Sequence, residues 1–366
     1  MRDLVKRVGR PARDALVGLA ALRSADGRRP GIHVSYGARV PSSNSAALTG
    51  GFVKLGALQQ HFPATSSGFN LLYLVSSRLP GGAVQMATFA QRKGARFVLN
   101  QDGVAYPAWY GPRWREVNGP LARLVHRADY VFFQSEFCRQ AADLFLGPRL
   151  GPSQVLHNAV DTRTFVPAPF EAEPRRFTVL LAGTHRHAYR VETALLALAR
   201  IRTTLPSAQL MLAGRLAWHS DEREARSHTE RIAAQLGVLE HVCFVGPYRQ
   251  SAAPAVYQRG HVLLHTQYND ACPTVVLEGM ACGLPVVFSA SGGTPELVGD
   301  AGIGVPAVQS WHQEQPPNPD ALAEAVFQVS IDRARLAALA RQRAVERFDL
   351  RRWLATHQKV FEQVLA

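Results

Sequence analysis

Two carboxylates, Asp270 and Glu278, stand eight residues apart on either side of a proline that is well placed to begin a helix. Pro273 suits a helix start because its fixed φ angle is helical and its missing N–H is not needed there. The backbone N–H groups of Thr274 and Val275 would then have no partner inside the helix. Such a positive helix end binds phosphate groups. The pattern therefore predicts a diphosphate site at this point.

The two carboxylates suit sugar hydroxyl groups rather than the phosphates themselves. Asp270 precedes the predicted helix and is expected to contact a transferred sugar, whereas Glu278 lies one turn inside and is expected to bind a ribose diol. Glu278 stands in the apolar run 276–281, where a buried carboxylate is costly unless it is hydrogen-bonded. The structural alternatives are a charged helix face for Glu278 and a loop Asx-turn for Asp270.

Short apolar runs alternate with helical segments along the first half of the chain. Runs of this length, rich in Val, Leu and Phe and separated by helices, are typical of a parallel sheet covered on both faces. The predicted strands are 32–37, 70–77, 95–103, 129–135 and 154–160, and the predicted helices lie near 51–60, 82–93, 115–127 and 136–146.

The same alternation restarts after the proline-rich segment 164–176, which predicts a second domain. The fold class is therefore α/β, with two Rossmann-like doubly wound domains facing a central cleft. We expect a basic N-terminal helix over 1–30, domains over 31–168 and 177–348, and a closing helix over 349–366. The second half has predicted strands at 177–183, 208–214, 241–246, 261–267 and 285–290, and helices near 190–204, 221–236, 251–259, 274–283, 318–347 and 350–365.

The charge favours anionic partners. Lys and Arg number 41 against 28 Asp and Glu, a net charge of +13, although an arginine-rich composition explains part of this excess. No nucleic-acid-binding signature accompanies the charge, so no specific nucleic acid is expected. The basic helix over 1–30 is either a solvated helix or a peripheral contact with an anionic membrane.

The remaining composition favours a protein without a membrane span. No apolar run reaches the roughly 20 residues that span a bilayer, and the four cysteines form no C-x-x-C pair. We therefore expect a cytoplasmic protein, with peripheral attachment at the inner membrane face as one form of it.

Several segments together resemble the glycosyltransferase family 4 group, which has the GT-B fold. The carboxylate pair continues into MACGLPVV (280–287) and GGTPELV (292–298), which match that family's nucleotide-sugar-binding region. SEFCRQAADLFLG (135–147) and QVLHNAVDTRTFVP (154–167) resemble its link into the second domain, and RFDLRRWLATHQKVFEQVL (347–365) resembles its closing helix. The likeness covers most of 129–366.

The resemblance implies a retaining glycosyltransferase of the kind found in bacterial glycan biosynthesis. It implies a UDP-, GDP- or ADP-type sugar as the donor, a glycan, lipid-linked or small molecule as the acceptor, and no cofactor. It also implies no divalent metal, and the sequence contains no Asp-x-Asp pair. The closing helix is expected to cross back onto the first domain.

The sequence departs from the family pattern at the diphosphate. By spacing from Gly183, which is expected to approach the donor, the family's arginine and lysine fall at Thr184 and Tyr189. Neither is basic, but Arg186 and Arg190 flank these positions and are expected to supply the charge, with Arg190 acting on the leaving group. The alternative is that both arginines are surface residues of a loop.

In the first domain the candidate residues follow a strand and begin a helix. Where the family often has a histidine, this chain has Gln101, which can hydrogen-bond a sugar but cannot act as a general base, with Asp102 beside it. Gly50 and Gly51 are expected to start a helix and let the backbone approach a ligand. Lys54 is expected to face a phosphate from one turn inside that helix. Gly50, Gly51, Lys54 and Asp102 form the candidate loop for the acceptor or a phosphate, and Gln101 is a catalytic candidate with Asp270 and Arg190.

Two other functions stay open at this point. One is another enzyme on the same fold, such as an epimerase or a phosphorylase. The other is a non-catalytic or diverged protein that binds anionic lipid or nucleotide. Asp270 in place of the family's glutamate and the missing basic pair keep the second alternative open.

Overall fold

The structure, a computed structural model, describes residues 16–21, 23–41, 50–171 and 174–366. The chain divides into two compact units. Among the described residues the first unit contains 16–21, 23–41, 50–157 and 352–366, and the second contains 158–171 and 174–351. No helix in these ranges is both long and apolar enough to cross a bilayer. Most of the predicted basic helix over 1–30 lies outside them, and only 16–21 and 23–24 are described as helical.

The first unit is built on a parallel sheet whose strands follow one another in chain order. Its central strands are buried on both faces, as their uniformly apolar sequences require. The strands are β1 (Val34–Ser35), β2 (Leu71–Val75), β3 (Arg96–Gln101), β4 (Tyr130–Phe133) and β5 (Ser153–Val155), and the helices are α1 (Gly50–His61), α2 (Ala83–Arg92), α3 (Pro107–Tyr110), α4 (Trp114–Arg127) and α5 (Glu136–Leu146).

The second unit has a six-stranded parallel sheet in the order β11-β10-β9-β6-β7-β8. The order reverses between β6 and β9, which pair directly with each other. Ligands of open α/β sheets bind beyond the carboxyl ends of the strands at such a reversal. The strands are β6 (Phe177–Ala182), β7 (Ala208–Ala213), β8 (Val242–Gly246), β9 (Val262–His265), β10 (Val286–Ala290) and β11 (Gly302–Pro306).

The helices of the second unit cover both faces of its sheet and differ from prediction in two places. A short helix over 294–298 was not predicted, because the segment 292–296 has the sequence of a turn. The predicted helix over 318–347 is two helices that meet at Asp332. The edge strand β11 was not predicted because two of its five residues are glycine, a weak strand former. The helices are α6 (Ala188–Thr204), α7 (Glu222–Gln235), α8 (Ala253–Tyr257), α9 (Thr274–Ala281), α10 (Thr294–Val298), α11 (Pro319–Ile331) and α12 (Arg333–Arg347).

The chain passes from the first unit to the second at residues 157–158, before the proline-rich segment in which we placed the boundary. Asn158 already belongs to the second unit because its amide nitrogen donates to the Cys272 carbonyl at 2.8 Å. The final helix, α13 (Leu350–Leu365), starts in the second unit, and its residues from 352 onward belong to the first. There His357 lies 3.0 Å from the Tyr73 hydroxyl.

Candidate functional site

The predicted donor residues of the second unit lie beyond the carboxyl ends of β6 and β9. Gly183 directly follows β6 with φ +109°, and a Cβ atom there would lie 3.2 Å from the Val275 side chain. Val275 and Thr274 form the first turn of α9, after Pro273 as N-cap without a side-chain capping bond. The loop after β6 and the start of α9 are therefore adjacent, with helix N–H groups available for an anion.

Glu278 is buried inside α9, and two side chains hold its carboxylate. Gln250 donates to Oε1 at 2.6 Å and Tyr257 donates to Oε2 at 2.7 Å. Burial raises the pKa of Glu278, although both hydrogen bonds oppose the rise. Each carboxylate oxygen keeps a lone pair for a further donor, so the group can still accept hydrogen bonds from ligand hydroxyls.

Asp270 stands at the centre of a small group of charged and polar side chains. Its Oδ2 lies 3.3 Å from Nε2 of His265, the buried last residue of β9. Arg190 is buried near it; burial lowers the pKa of the guanidinium, and the Asp270 charge opposes that effect. Arg190 also donates to the Thr184 carbonyl at 3.1 Å. The Asp270 carboxylate itself is half-buried.

The backbone that carries Asp270 is held in one conformation. Asn269 has a φ of +50°, rare outside glycine, and its N–H donates to the Ser291 hydroxyl at 2.9 Å. The Asp270 carbonyl accepts from the Gly293 N–H at 2.8 Å. Gly292 has φ +68°, and a Cβ there would collide with the Asp270 carbonyl oxygen. Gly292 and Gly293 thus support the loop that carries Asp270.

The positions at which the family's basic pair was expected have other contacts. The Tyr189 hydroxyl accepts from the Gln267 amide and from the Tyr268 N–H, both at 3.1 Å, and so anchors the loop after β9. Arg186 is exposed. Of the two flanking arginines, Arg190 is the buried one, and its charge interacts with that of Asp270.

The candidate residues of the first unit also meet beyond strand ends. The Lys54 ammonium donates to Asp102 Oδ1 at 2.6 Å, to Asn100 Oδ1 at 2.9 Å and to Gln134 Oε1 at 3.2 Å. Its three hydrogens are thus directed at protein acceptors. The prediction that Lys54 faces a phosphate stays a prediction, and this arrangement favours a role in holding Asp102.

The other residues of this group lie close to Lys54 in the chain or on β3. Gln101 is buried, and its amide nitrogen donates to the Gly103 carbonyl at 2.6 Å. Gly50 is exposed and Gly51 is buried at the beginning of α1. A Cβ on Gly51 would lie 2.7 Å from the Ser77 hydroxyl, so α1 approaches the loop after β2 closely.

Sequence reasoning missed Gln250, Tyr257 and His265. Gln250 and Tyr257 lie more than 20 residues before Glu278, and only the packing of α8 against α9 brings them to its carboxylate. The one available signal was for His265, because a histidine ends an otherwise aliphatic strand. Among the described residues, no group of three or more His, Cys, Asp and Glu side chains is arranged to hold a metal ion.

Solved structures support the fold. The sucrose-phosphate synthase of Thermosynechococcus elongatus aligns with a TM-score of 0.66 at 20% identity, over 81% of this chain and 74% of that one. Anabaena HepE in complex with UDP aligns with the same TM-score at 19% identity, over 81% of this chain and 79% of that one. The chain has the two-sheet GT-B architecture of these neighbours.

Curated relatives match part of the chain. A D-inositol 3-phosphate glycosyltransferase of Mycobacterium sp. (strain KMS) is 28% identical over 191 residues, or 50% of this chain and 42% of that protein. A glycogen synthase of Mycobacterium tuberculosis is 29% identical over 244 residues, or 64% of this chain and 54% of that protein. The matches thus span about half the length of these relatives.

The family match lies in the unit that carries Asp270 and Glu278. The model of the family described as "Glycosyl transferases group 1" matches residues 163–346, half of the chain. This range falls wholly within the second unit. This family match agrees with the parallel sheets, the strand-order reversal and the two carboxylates near the start of α9. The chain belongs to the group 1 glycosyl transferases.

Proposed function

We propose that this protein is a retaining glycosyltransferase that moves a sugar from a nucleotide-diphosphate sugar to an acceptor hydroxyl and needs no divalent metal. The observation that carries the proposal is the Glu278 carboxylate. It is buried, held by Tyr257 and Gln250, and placed one turn inside a helix whose first N–H groups are available at the reversal of strand order. A nucleotide diphosphate matches this arrangement, with hydroxyls for the carboxylate and phosphates for the helix end.

UDP-sugars are the first candidate donors. HepE structures are described in complex with UDP and with UDP-glucose, and we extend this donor class to the present chain as part of the proposal. The ribose is assigned to Glu278, and the diphosphate to the N–H groups of Thr274 and Val275, close to Gly183. Arg190 supplies positive charge to the leaving group, and Asp270 binds the transferred sugar.

The chemical step breaks the bond between the anomeric carbon and the diphosphate oxygen while the acceptor hydroxyl enters from the same face. The helix end and Arg190 stabilise the negative charge that develops on the leaving phosphate. The departing phosphate oxygen takes the proton of the acceptor hydroxyl, so the step needs no protein base. Gln101, which cannot titrate, is consistent with this role for the phosphate.

The acceptor is assigned to the first unit. The family match does not extend to that unit, and Gln101 and Asp102 are its candidate contacts. A hydroxyl of a glycan, of a lipid-linked sugar or of a small polyol is the proposed class. Peripheral contact with an anionic membrane remains a prediction of the N-terminal sequence.

The proposal is tested by calorimetric titration with UDP, GDP, ADP, dTDP and CMP, each with and without EDTA. We expect one nucleotide family to bind, with the same affinity in EDTA, and Glu278→Ala to abolish this binding. Glu240→Ala is the matched control, because Glu240 is exposed and precedes β8. It therefore lies on the side of the amino ends of the strands, away from the carboxyl ends that carry the candidate site. NMR of the transferred sugar then compares the anomeric configuration of product and donor.

Each part of the proposal has its own contrary result. A nucleotide that binds Glu278→Ala as tightly as wild type would refute the donor site. Loss of transfer in EDTA would refute metal independence, and an inverted product would refute retention. If no nucleotide binds, the alternative of a diverged protein that binds anionic lipid gains support, and titration with anionic vesicles is the next measurement.

A further inference from the structure

His265 is the last residue of β9, and its side chain is buried although the rest of the strand is aliphatic. An imidazole in such a position is unfavourable unless its nitrogens find hydrogen-bond partners. The resemblance to family 4 assigns it no role, and the proposed function does not use it. Its surroundings therefore need a separate explanation.

The Nε2 atom of His265 points to Asp270. It lies 3.3 Å from Oδ2, slightly longer than a typical N–H···O bond. Among the described residues this nitrogen makes no aligned hydrogen bond, and the Asp270 carboxylate is the acceptor that lies beside it. Burial lowers the pKa of His265; the neighbouring Asp270 carboxylate opposes this fall, and the charge of Arg190 adds to it. The imidazole is thus neutral at neutral pH. When its proton is on Nε2, this N–H is a hydrogen-bond donor directed at the Asp270 carboxylate.

Two hydrogen bonds hold the main chain on either side of Asp270. The Asp270 carbonyl accepts from the Gly293 N–H at 2.8 Å, and the preceding residue, Asn269, is held by the Ser291 hydroxyl. The direction of the carboxylate is then decided by the groups around it. His265 contributes a hydrogen-bond donor, and Arg190 contributes a buried positive charge.

We propose that His265 is a positioning residue, which holds the Asp270 carboxylate in the orientation that it needs to contact the transferred sugar. The inference rests on the proposed function. It also explains how an aspartate can stand where the resemblance leads us to expect the longer glutamate. The shorter side chain is supported from the strand end by an imidazole, at a position where the strand is otherwise aliphatic.

The first test compares the kinetics of His265→Leu, His265→Gln and His261→Leu. Leucine has a similar volume but no donor, whereas the glutamine amide nitrogen can replace Nε2. His261→Leu is the matched control, because His261 immediately precedes β9 and so lies at its amino end, whereas His265 lies at its carboxyl end. We expect His265→Leu to lower kcat roughly 10- to 100-fold, as a misplaced reacting group does, with the Kd for UDP changed less than about twofold. His265→Gln recovers part of kcat.

A double-mutant cycle with Asp270→Ala separates positioning from a general loss of structure. If His265 acts through Asp270, then His265→Leu has no further effect on kcat in the Asp270→Ala background. An equal loss of kcat in both backgrounds would overturn the inference. A kcat of His265→Leu equal to that of wild type would also overturn it. So would an equal fall in kcat in His265→Leu, His265→Gln and His261→Leu.

The contact itself is tested without activity, by NMR of protein labelled with ¹⁵N-histidine. We expect the His265 resonances of the wild type to show the proton on Nε2 and to shift in Asp270→Ala, while the His261 resonances stay in place. Unchanged His265 resonances in Asp270→Ala would overturn the inference, whatever the kinetics. A wild-type protein that transfers no sugar, by contrast, would overturn the proposed function, and the NMR result would still decide whether His265 holds Asp270.

Discussion

Replacing Glu278 by glutamine separates the function of this carboxylate from its cost to the fold. Glutamine has nearly the same shape and keeps one oxygen acceptor. It removes the buried negative charge to which Tyr257 and Gln250 donate hydrogen bonds. The Gln250 amide can turn to present its oxygen, so the buried contacts can remain satisfied. Glu278→Gln should therefore bind UDP more weakly without unfolding the protein.

The loss of affinity follows from the type of hydrogen bond. A hydrogen bond to a charged group contributes about 1.5–3 kcal/mol, and one between neutral groups about 0.5–1.5 kcal/mol. The variant keeps a neutral bond to the ribose, so it loses roughly the difference, about 1–2 kcal/mol. Since 1.4 kcal/mol corresponds to a factor of ten, we expect the Kd for UDP to rise about 5- to 30-fold.

At neutral pH the substitution weakens UDP binding but favours the folded state, because it removes a buried charge. Burial raises the folded-state pKa of Glu278 above its unfolded value. The folded protein therefore binds this proton more tightly, and its free energy of unfolding falls as pH rises from the unfolded pKa through the folded one. Glutamine does not titrate. The Tm of Glu278→Gln relative to wild type should then be higher at pH 7.5 than at pH 4.

Calorimetric titration with UDP and thermal unfolding at several pH values test both parts, with Glu240→Gln as the control at an exposed glutamate of the same unit. A Kd equal to that of wild type would refute the assignment of the ribose to Glu278. A Tm difference that is independent of pH would show that the carboxylate is not the buried, raised-pKa group described here.

Two further predictions concern stability. Gly292→Ala should lower the free energy of unfolding by more than Gly237→Ala, because both glycines have φ +68° but only Gly292 has no room for a Cβ, beside the Asp270 carbonyl; the shared strain is about 1–2 kcal/mol, and equal losses in urea unfolding would contradict this. His357 has its pKa lowered to about 3 by burial, so it contributes stability above pH 6.5 that is lost as pH falls toward 3. His357→Gln should therefore lose less stability than wild type between pH 7 and pH 4, and an unchanged pH dependence of Tm would contradict this.

The sequence alone was sufficient for the family and for much of the fold. The alternation of short apolar runs with helical segments predicted nearly every strand, because strands buried on both faces must be continuously apolar. Asp270, Pro273 and Glu278 at their spacing predicted a loop, a helix start and a carboxylate inside the helix, and the structure has each of these. These features are local, so the order of residues suffices to reveal them.

Contacts between distant segments were decided only by the tertiary structure. Tyr257 and Gln250 reach Glu278 because α8 packs against α9, and no periodicity in the sequence records that pairing. Arg190 lies on the buried side of α6, whereas Arg186 is exposed in the loop before that helix, and this difference in burial is not visible in the sequence. Burial and charge at these points come from residues far apart in the chain, so the shifted pKa values and the hydrogen-bond partners of Glu278 and Asp270 arise only in the folded second unit.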